Sequence, residues 1–326
     1  VIKSGSVQLS LIPPDDYARV VLPDSAAMWA AGRTHDQYIG DFHELAASSY
    51  GKRRFRTLGL VIDGRIVASC KRYERELRCG DRAYTAVGIG AVFTPPDLRG
   101  RGYATAMLGA FLDSERARGT DLVFLFSDIH PAFYERLGFA ALPSRTFSLR
   151  ADSLPARRLD IRPVGDADWS GVRRCFDALD ARRRVALRRT PLVWEWLRIA
   201  ARSHVASGAR VEFHVRTGKT TLAYVFGRRL PKTDTFVLDE FAYTGDEGFD
   251  AIPPLLRAAA GDLRKITGWL PPDLARVALP RGAVKRRKSA IAMLVPLSTT
   301  ARLAWRTEAA AILADDADRC WPTDHI

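Results

Sequence analysis

Several things are scarce in these 326 residues. No apolar run reaches the roughly 18 residues that a membrane span requires, and the opening stretch VIKSGSVQLSLIPPDD lacks the long apolar segment of an export signal. A protein that works in the cytoplasm, away from membranes, is expected. Cysteine is limited to Cys70, Cys79, Cys175 and Cys320, with no C-x-x-C spacing. That argues against a zinc site or a disulfide framework and for a reducing compartment, so no metal is expected. Two familiar phosphate motifs are missing as well. There is no G-x-x-x-x-G-K-[ST], and no G-x-G-x-x-G with an acidic residue about 20 positions further on.

What is present is a folded composition, 47% hydrophobic and 27% charged, with a net charge of +13. The length suits two domains of about 150 residues each. Residues 1–150 carry 20 Lys and Arg against 16 Asp and Glu, a net +4, and residues 151–326 carry 30 against 21, a net +9. Such a surface attracts polyanions; a genome that writes arginine freely on solvated faces accounts for the same numbers.

LGLVIDGRIVASC (58–70) reads as two strands around an Asp63-Gly64 turn, a strong hairpin signal. A strand region follows at 82–93, its alternation weakened by Gly88 and Gly90. Apolar residues at 107, 108, 111 and 112 predict a helix over 105–118 that stops at Gly119. LVFLF (122–126) is a buried strand, and PAFYERLGF (131–139) a short helix, a Gly138 stop and a final strand. After a linker at 151–160 the second half runs through nearly the same order, with a hairpin at 211–230, a strand TFVLDEFAY (235–243), a helix and a closing strand AIAMLVPL (290–297). An internal duplication of architecture is expected: a mixed α/β unit at 1–150, a second at 151–300, and a helical, aromatic tail at 301–326.

The chemistry gathers at VFTPPDLRGRGYATAML (92–108). A strand feeding a helix through a glycine-rich turn exposes several backbone N–H groups pointing one way, and the helix dipole adds about half a positive charge there. Together they suit a phosphate or pyrophosphate. Glycine lets the backbone approach the ligand or take positive φ, and Arg99 and Arg101 add charge.

Arg99-Gly100-Arg101-Gly102-Tyr103-Ala104 resembles the R/Q-x-x-G-x-G/A signature of the GNAT acetyltransferase superfamily, and Phe133-Tyr134-Glu135-Arg136-Leu137-Gly138-Phe139 resembles its F-Y-E-K-L-G-F block. Residues 55–140 further resemble the fungal lysine N6-acetyltransferase branch and its bacterial relatives, and the second half a degenerate GNAT-like repeat. The resemblance implies an α+β GNAT fold: a central, mostly antiparallel twisted sheet splayed between its fourth and fifth strands, here in tandem. It implies acetyl-CoA as donor, with the backbone of Val92, Phe93 and Thr94 along the pantetheine arm. The N–H groups from Arg99, Gly100, Arg101, Gly102, Tyr103, Ala104 and Thr105 would then hold the pyrophosphate. An amine would attack the thioester directly, and Tyr134, a phenol of pKa near 10, would protonate the leaving thiolate.

The base stays open. The fourth-strand run AVGIGAV offers no glutamate, so Asp128 and His130 are the nearest candidates, each of which also reads as a helix cap or turn residue. A water relay is the third possibility. The superfamily resemblance also brings the tail into view, since tandem members turn their C-terminal end back into the site; Asp324 and Ile326 are candidates there, against plain surface packing. Asp239 and Glu240 stand where a second cofactor edge would lie, without an arginine-glycine turn after them, and could wall an acceptor of positive charge. The expected acceptor is a small-molecule amine such as a lysine-like amino acid. A tRNA or aminoacyl-tRNA on the clusters ARRRVALRR (181–189) and RGAVKRRK (281–288) is one alternative, weakened by the lack of interleaved aromatics, and a peptide or protein amine is the other.

Overall fold

A computed structural model describes residues 9–129, 131–203, 209–271, 273–274, 279–314 and 320–326. The chain opens with β1 (Leu9–Ile12) and four helices, α1 (Pro14–Val20), α2 (Leu22–Trp29), α3 (His35–Ala47) and α4 (Ser49–Arg54). Three long strands follow, β2 (Phe55–Ile62), β3 (Arg65–Cys79) and β4 (Arg82–Phe93), then α5 (Tyr103–Ala117), β5 (Leu122–Ser127), α6 (Ala132–Glu135), β6 (Ala140–Ala141) and β7 (Arg145–Arg150). The second half begins with β8 (Ile161–Pro163), α7 (Trp169–Asp180), β9 (Val185–Leu187) and α8 (Pro191–Ser203). It continues through β10 (Ala209–Thr217), β11 (Thr220–Leu230), β12 (Thr235–Tyr243), α9 (Gly245–Ala260) and β13 (Lys265–Trp269), and closes on β14 (Val284–Arg286), β15 (Ile291–Pro296) and α10 (Thr299–Ala314).

Local chemistry accounts for the elements around the site. Asp63 and Gly64 both take positive φ, 49° and 76°, as the two-residue turn between β2 and β3 requires. The helix α5 buries Met107, Leu108, Phe111 and Leu112 on one face and ends just before Gly119 at φ 77°. It is fastened to β3 by a buried ion pair in which Arg72 donates twice to Glu115, at 2.9 and 3.0 Å. None of the helices among the described residues is long and apolar enough to cross a membrane.

Two sheets form, in the orders β1-β2-β3-β4-β5-β15-β6, with β9 beside β3, and β14-β7-β13-β12-β11-β10-β8. Each is antiparallel except for one parallel pair, β4/β5 in the first and β12/β13 in the second, joined by α5 and α9 respectively. Helical crossovers are what parallel neighbours need.

The halves trade strands. Read alone, AIAMLVPL closes the second half; in the structure β15 lies along β5, from Ile291↔Ser127 to Pro296↔Leu122. In return β7 lies along β13, from Arg150↔Lys265 to Thr146↔Trp269. The reason is visible in β5, whose six residues are all buried and need a full-length neighbour that the two-residue β6 cannot supply. The exchange means that the sheets do not divide at residue 150. A shared core seals them, with Tyr50 stacked on Trp196 at 5.3 Å and Tyr73 5.7 Å from the same ring.

Candidate active site

The parallel pairing of β4 with β5 runs from Ala86↔Leu122 to Ile89↔Leu125 and stops there. Beyond it, β4 bulges against β3: the register shifts between Lys71↔Gly90 and Ser69↔Phe93. Ala91 takes φ 47°, a left-handed conformation that is uncommon for alanine. The strands separate at that point and open a cavity of about 860 Å³. Gly90, Val92, Phe93 and Thr94 line one edge, and Leu125 and Phe126 the other. The hydroxyl of Thr94 is buried with no partner among the described residues, so the wall carries a polar atom left for a ligand to satisfy.

At the wide end stands the arginine-glycine turn. Gly100 and Gly102 take φ 76° and 84°, with open space where a Cβ would be, so backbone conformation rather than crowding selects glycine. Gly102 caps α5, whose first-turn N–H groups have no acceptor within the helix. Arg99, Gly100, Gly102, Tyr103, Ala104 and Thr105 all line the cavity. Arg101 does not; its guanidinium bends back to the carbonyl of Asp97 at 3.2 Å.

Tyr134 lies on α6 at the same cavity, 7% exposed, wedged edge-on between Phe133 and Phe139 with ring centroids at 4.9 and 6.0 Å. Burial, with the charge of Asp128 adding, pushes its phenol up to about 12. It is therefore a fully protonated donor at any physiological pH. Asp128 also lines the cavity and accepts from the backbone N–H of Ala290 at 3.0 Å, at the entry to β15. His130 lies outside the described residues.

The tail turns inward. Trp321 is 2% exposed against Phe241, with ring centroids at 5.3 Å. The Asp324 carboxylate accepts from Arg75 at 3.1 Å, from Arg189 at 3.2 Å and from the backbone of Trp321 at 3.2 Å. Burial opposes its charge, but the two guanidinium groups and that N–H outweigh burial and hold the carboxyl below the usual range. The next residues reach the cavity. His325 packs on Phe126 and Trp269 at 5.2 and 6.1 Å, and Ile326 lies over Gly88 and Gly90. A Cβ at position 88 would run into the Ile326 side chain, and one at position 90 would stand 2.9 Å from its carbonyl carbon. The two glycines that weaken the alternation of β4 make room for the tail.

His325 escapes a reading of the sequence alone, though the aromatic terminus around it is a signal. It lines the cavity while surrounded by protein. Burial pushes its imidazole below the usual histidine value, with Arg287 adding and Asp128 opposing.

The acids of β12 serve structure. Glu240 has no exposed surface and is held by Arg189 in two hydrogen bonds, one of 3.0 Å, by the Tyr224 hydroxyl and by Thr323 of the tail. Asp239 forms a paired contact with Arg228 at 3.0 and 3.1 Å and lines a second cavity of about 250 Å³. Neither acid is open to a ligand as a free wall. The helix after β12 starts with Asp246 and Glu247, charges that repel an anion from its N-terminus. Each arginine cluster likewise turns a residue inward: Arg189 into the ion network and Arg287 over Trp269 at 3.7 Å.

The family model for the acetyltransferase (GNAT) domain matches residues 25–142. A lysine acetyltransferase of Yarrowia lipolytica is 43% identical over 63 residues, 18% of this chain and 16% of its own length. The solved structure of a GCN5-related N-acetyltransferase from Anabaena variabilis matches with TM-score 0.71 at 14% identity, over 91% of this chain and 74% of that one. A tandem GNAT protein from the clavulanic acid biosynthesis pathway matches with TM-score 0.53 at 13% identity, over 89% of this chain and 98% of its own. At such identities the two structures speak for the fold alone.

Proposed function

We propose that the chain, whose residues 25–142 match the family model of the acetyltransferase (GNAT) domain, transfers an acetyl group from acetyl-CoA to the primary amine of a small molecule, with both substrates bound together. The observation that carries this reading is the coincidence, in one cavity, of the β4/β5 splay, the positive-φ glycine turn and Tyr134. Acetyl-CoA, when bound, supplies a thioester whose carbonyl carbon the neutral amine attacks, releasing a thiolate. The first-turn N–H groups of α5 and the backbone of Arg99 to Gly102 would hold its pyrophosphate. Thr94 and the unpaired edge of Gly90 to Phe93 would hold its pantetheine arm.

Tyr134 then delivers a proton to the leaving sulfur, its raised pKa keeping the phenol protonated until the thiolate forms. His325 takes the proton from the amine. Its depressed basicity keeps it neutral near pH 7, and it lines both the main cavity and the second one. Asp128 supports a charged amine before attack and has no ion-pair partner among the described residues.

The test is release of free CoA thiol from acetyl-CoA across a panel of small amines. Release that requires an amine and disappears in Tyr134→Phe is expected. Tight acetyl-CoA binding without amine-dependent release from any member of the panel would overturn the proposal.

A further inference from the structure

The main cavity contains a cation with no counter-ion among the described residues. Lys71 lies on β3 directly across from Gly90 of β4, one of 8 lysines in a chain that carries 42 arginines. The two-residue period of the strand sends Cys70 and Arg72 toward α5, where Arg72 meets Glu115, and sends Lys71 and Tyr73 to the opposite face. There the Lys71 ammonium sits over the rings of Tyr17 and Phe42, 5.9 and 5.2 Å from their centroids, and lines the cavity. Two faint cation–π contacts do not neutralise a charge.

No carboxylate among the described residues comes within ion-pair reach of it. Asp41, which lines the same cavity, is taken by Arg33 at 2.9 Å. Asp128 is tied to Ala290 at the Tyr134 end. Burial, with the charge of Arg33 adding, pushes the amine of Lys71 down to about 8. An ammonium enclosed in this way is relieved when an anion joins it.

The second cavity offers no comparable charge. Arg189, Arg198, Arg210 and Arg228 line it, but each is paired, with Glu240, Asp166, Glu212 and Asp239 respectively. The charges therefore point an acceptor one way round, with its amine toward Asp128, His325 and Tyr134 and a negative group toward Lys71.

We infer that Lys71 selects the acceptor by binding its carboxylate, so that the enzyme takes small amines bearing an acid group and rejects polyamines. The inference rests on the acetyl-transfer reading for the identity of the occupant, but its test does not depend on turnover. Binding of ε-aminocaproate, its amide and spermidine to the full chain is measured by calorimetry, for the wild type and for Lys71→Met and Lys71→Arg. The acid is expected to bind at least about tenfold more tightly than the amide, spermidine not to compete, Lys71→Met to erase the preference, and Lys71→Arg to keep part of it. Acetyl-CoA affinity should be unchanged in both variants, which also reports that they fold.

Equal binding of acid and amide, a preference for spermidine, no binding of any of the three, or a preference that survives Lys71→Met would overturn the inference. An acid that binds through Lys71 while no amine triggers CoA release would sink the acetyl-transfer reading and leave the carboxylate site standing. Release of CoA at equal rates with acid and amide would do the reverse.

Discussion

Ile326 rests on Gly90. Gly90 lies on β4, which lines the cavity, at a position where a single methyl group would stand 2.9 Å from the carbonyl carbon of Ile326 and 3.1 Å from its oxygen. Those separations are below ordinary van der Waals contact, so Gly90→Ala must displace the tail or the Tyr73 ring, which stands equally close at 3.1 Å. We expect Gly90→Ala to lower kcat at least about tenfold, with thermal stability reduced only slightly, because the tail lifts off more readily than the core rearranges. Steady-state kinetics beside a melting curve checks this; unaltered kcat would mean that the docked tail has no part in turnover.

Tyr134→Phe removes one oxygen from a ring that remains packed between Phe133 and Phe139. The expected loss in kcat is about 10²–10⁴-fold, the range for a lost general acid. The affinity for acetyl-CoA, measured by calorimetry, should hold. A parallel loss of both would reassign Tyr134 to binding.

The Asp324 carboxylate bridges Arg75 of the first half and Arg189 of the second, and all three side chains are buried. Deleting one partner of a buried pair leaves charge without compensation, so Asp324→Ala should destabilise the fold by about 3–5 kcal/mol in urea denaturation. The pH dependence has a definite sign. The folded-state carboxyl titrates below its ordinary value of 3.8. Its stabilisation is therefore complete above that value and is lost as the pH falls through the lower folded one. Wild type and Asp324→Ala should converge in stability at strongly acid pH and differ most from about pH 5 upward.

A neutral His325 is what the proposed proton transfer requires, and its folded-state value lies below the ordinary 6.5. The rate should therefore stay level as the pH drops to 6.5 and fall only below it. In His325→Gln that acid limb should give way to a rate that climbs with pH toward the ionisation of the acceptor amine itself. An unchanged pH–rate profile in the variant would place the base elsewhere.

Much of the first half is legible along the chain because its signals are local. Asp63-Gly64 demands positive φ at both residues, the α5 stripe repeats at helical spacing, and the Arg99–Ala104 and Phe133–Phe139 blocks lie on the elements that their chemistry needs. The parts that stay hidden are matters of partnership. Nothing in AIAMLVPL says which sheet it joins, since any apolar strand can cover the edge of β5. Asp239 and Glu240 look like free acids until Arg228, from the neighbouring strand, and Arg189, 51 positions from Glu240, arrive beside them. Gly88 and Gly90 stand in plain sight as interruptions of a strand, but the segment they make room for lies more than 230 positions further on. Lys71 is one basic residue among many until the fold shows that no acid among the described residues faces it.

The reciprocal placement of β7 and β15 has a temporal side. A ribosome finishes β5 when residue 127 is made, yet the strand that covers the edge of β5 does not exist until residues 291–296 have been added. At about 5–20 residues per second the nascent first half spends of the order of ten seconds or more with that largely apolar strand edge uncovered. The main cavity is built against that edge, so it cannot mature before residue 296 has been added. The half that carries the signature motifs would not be expected to survive expression on its own.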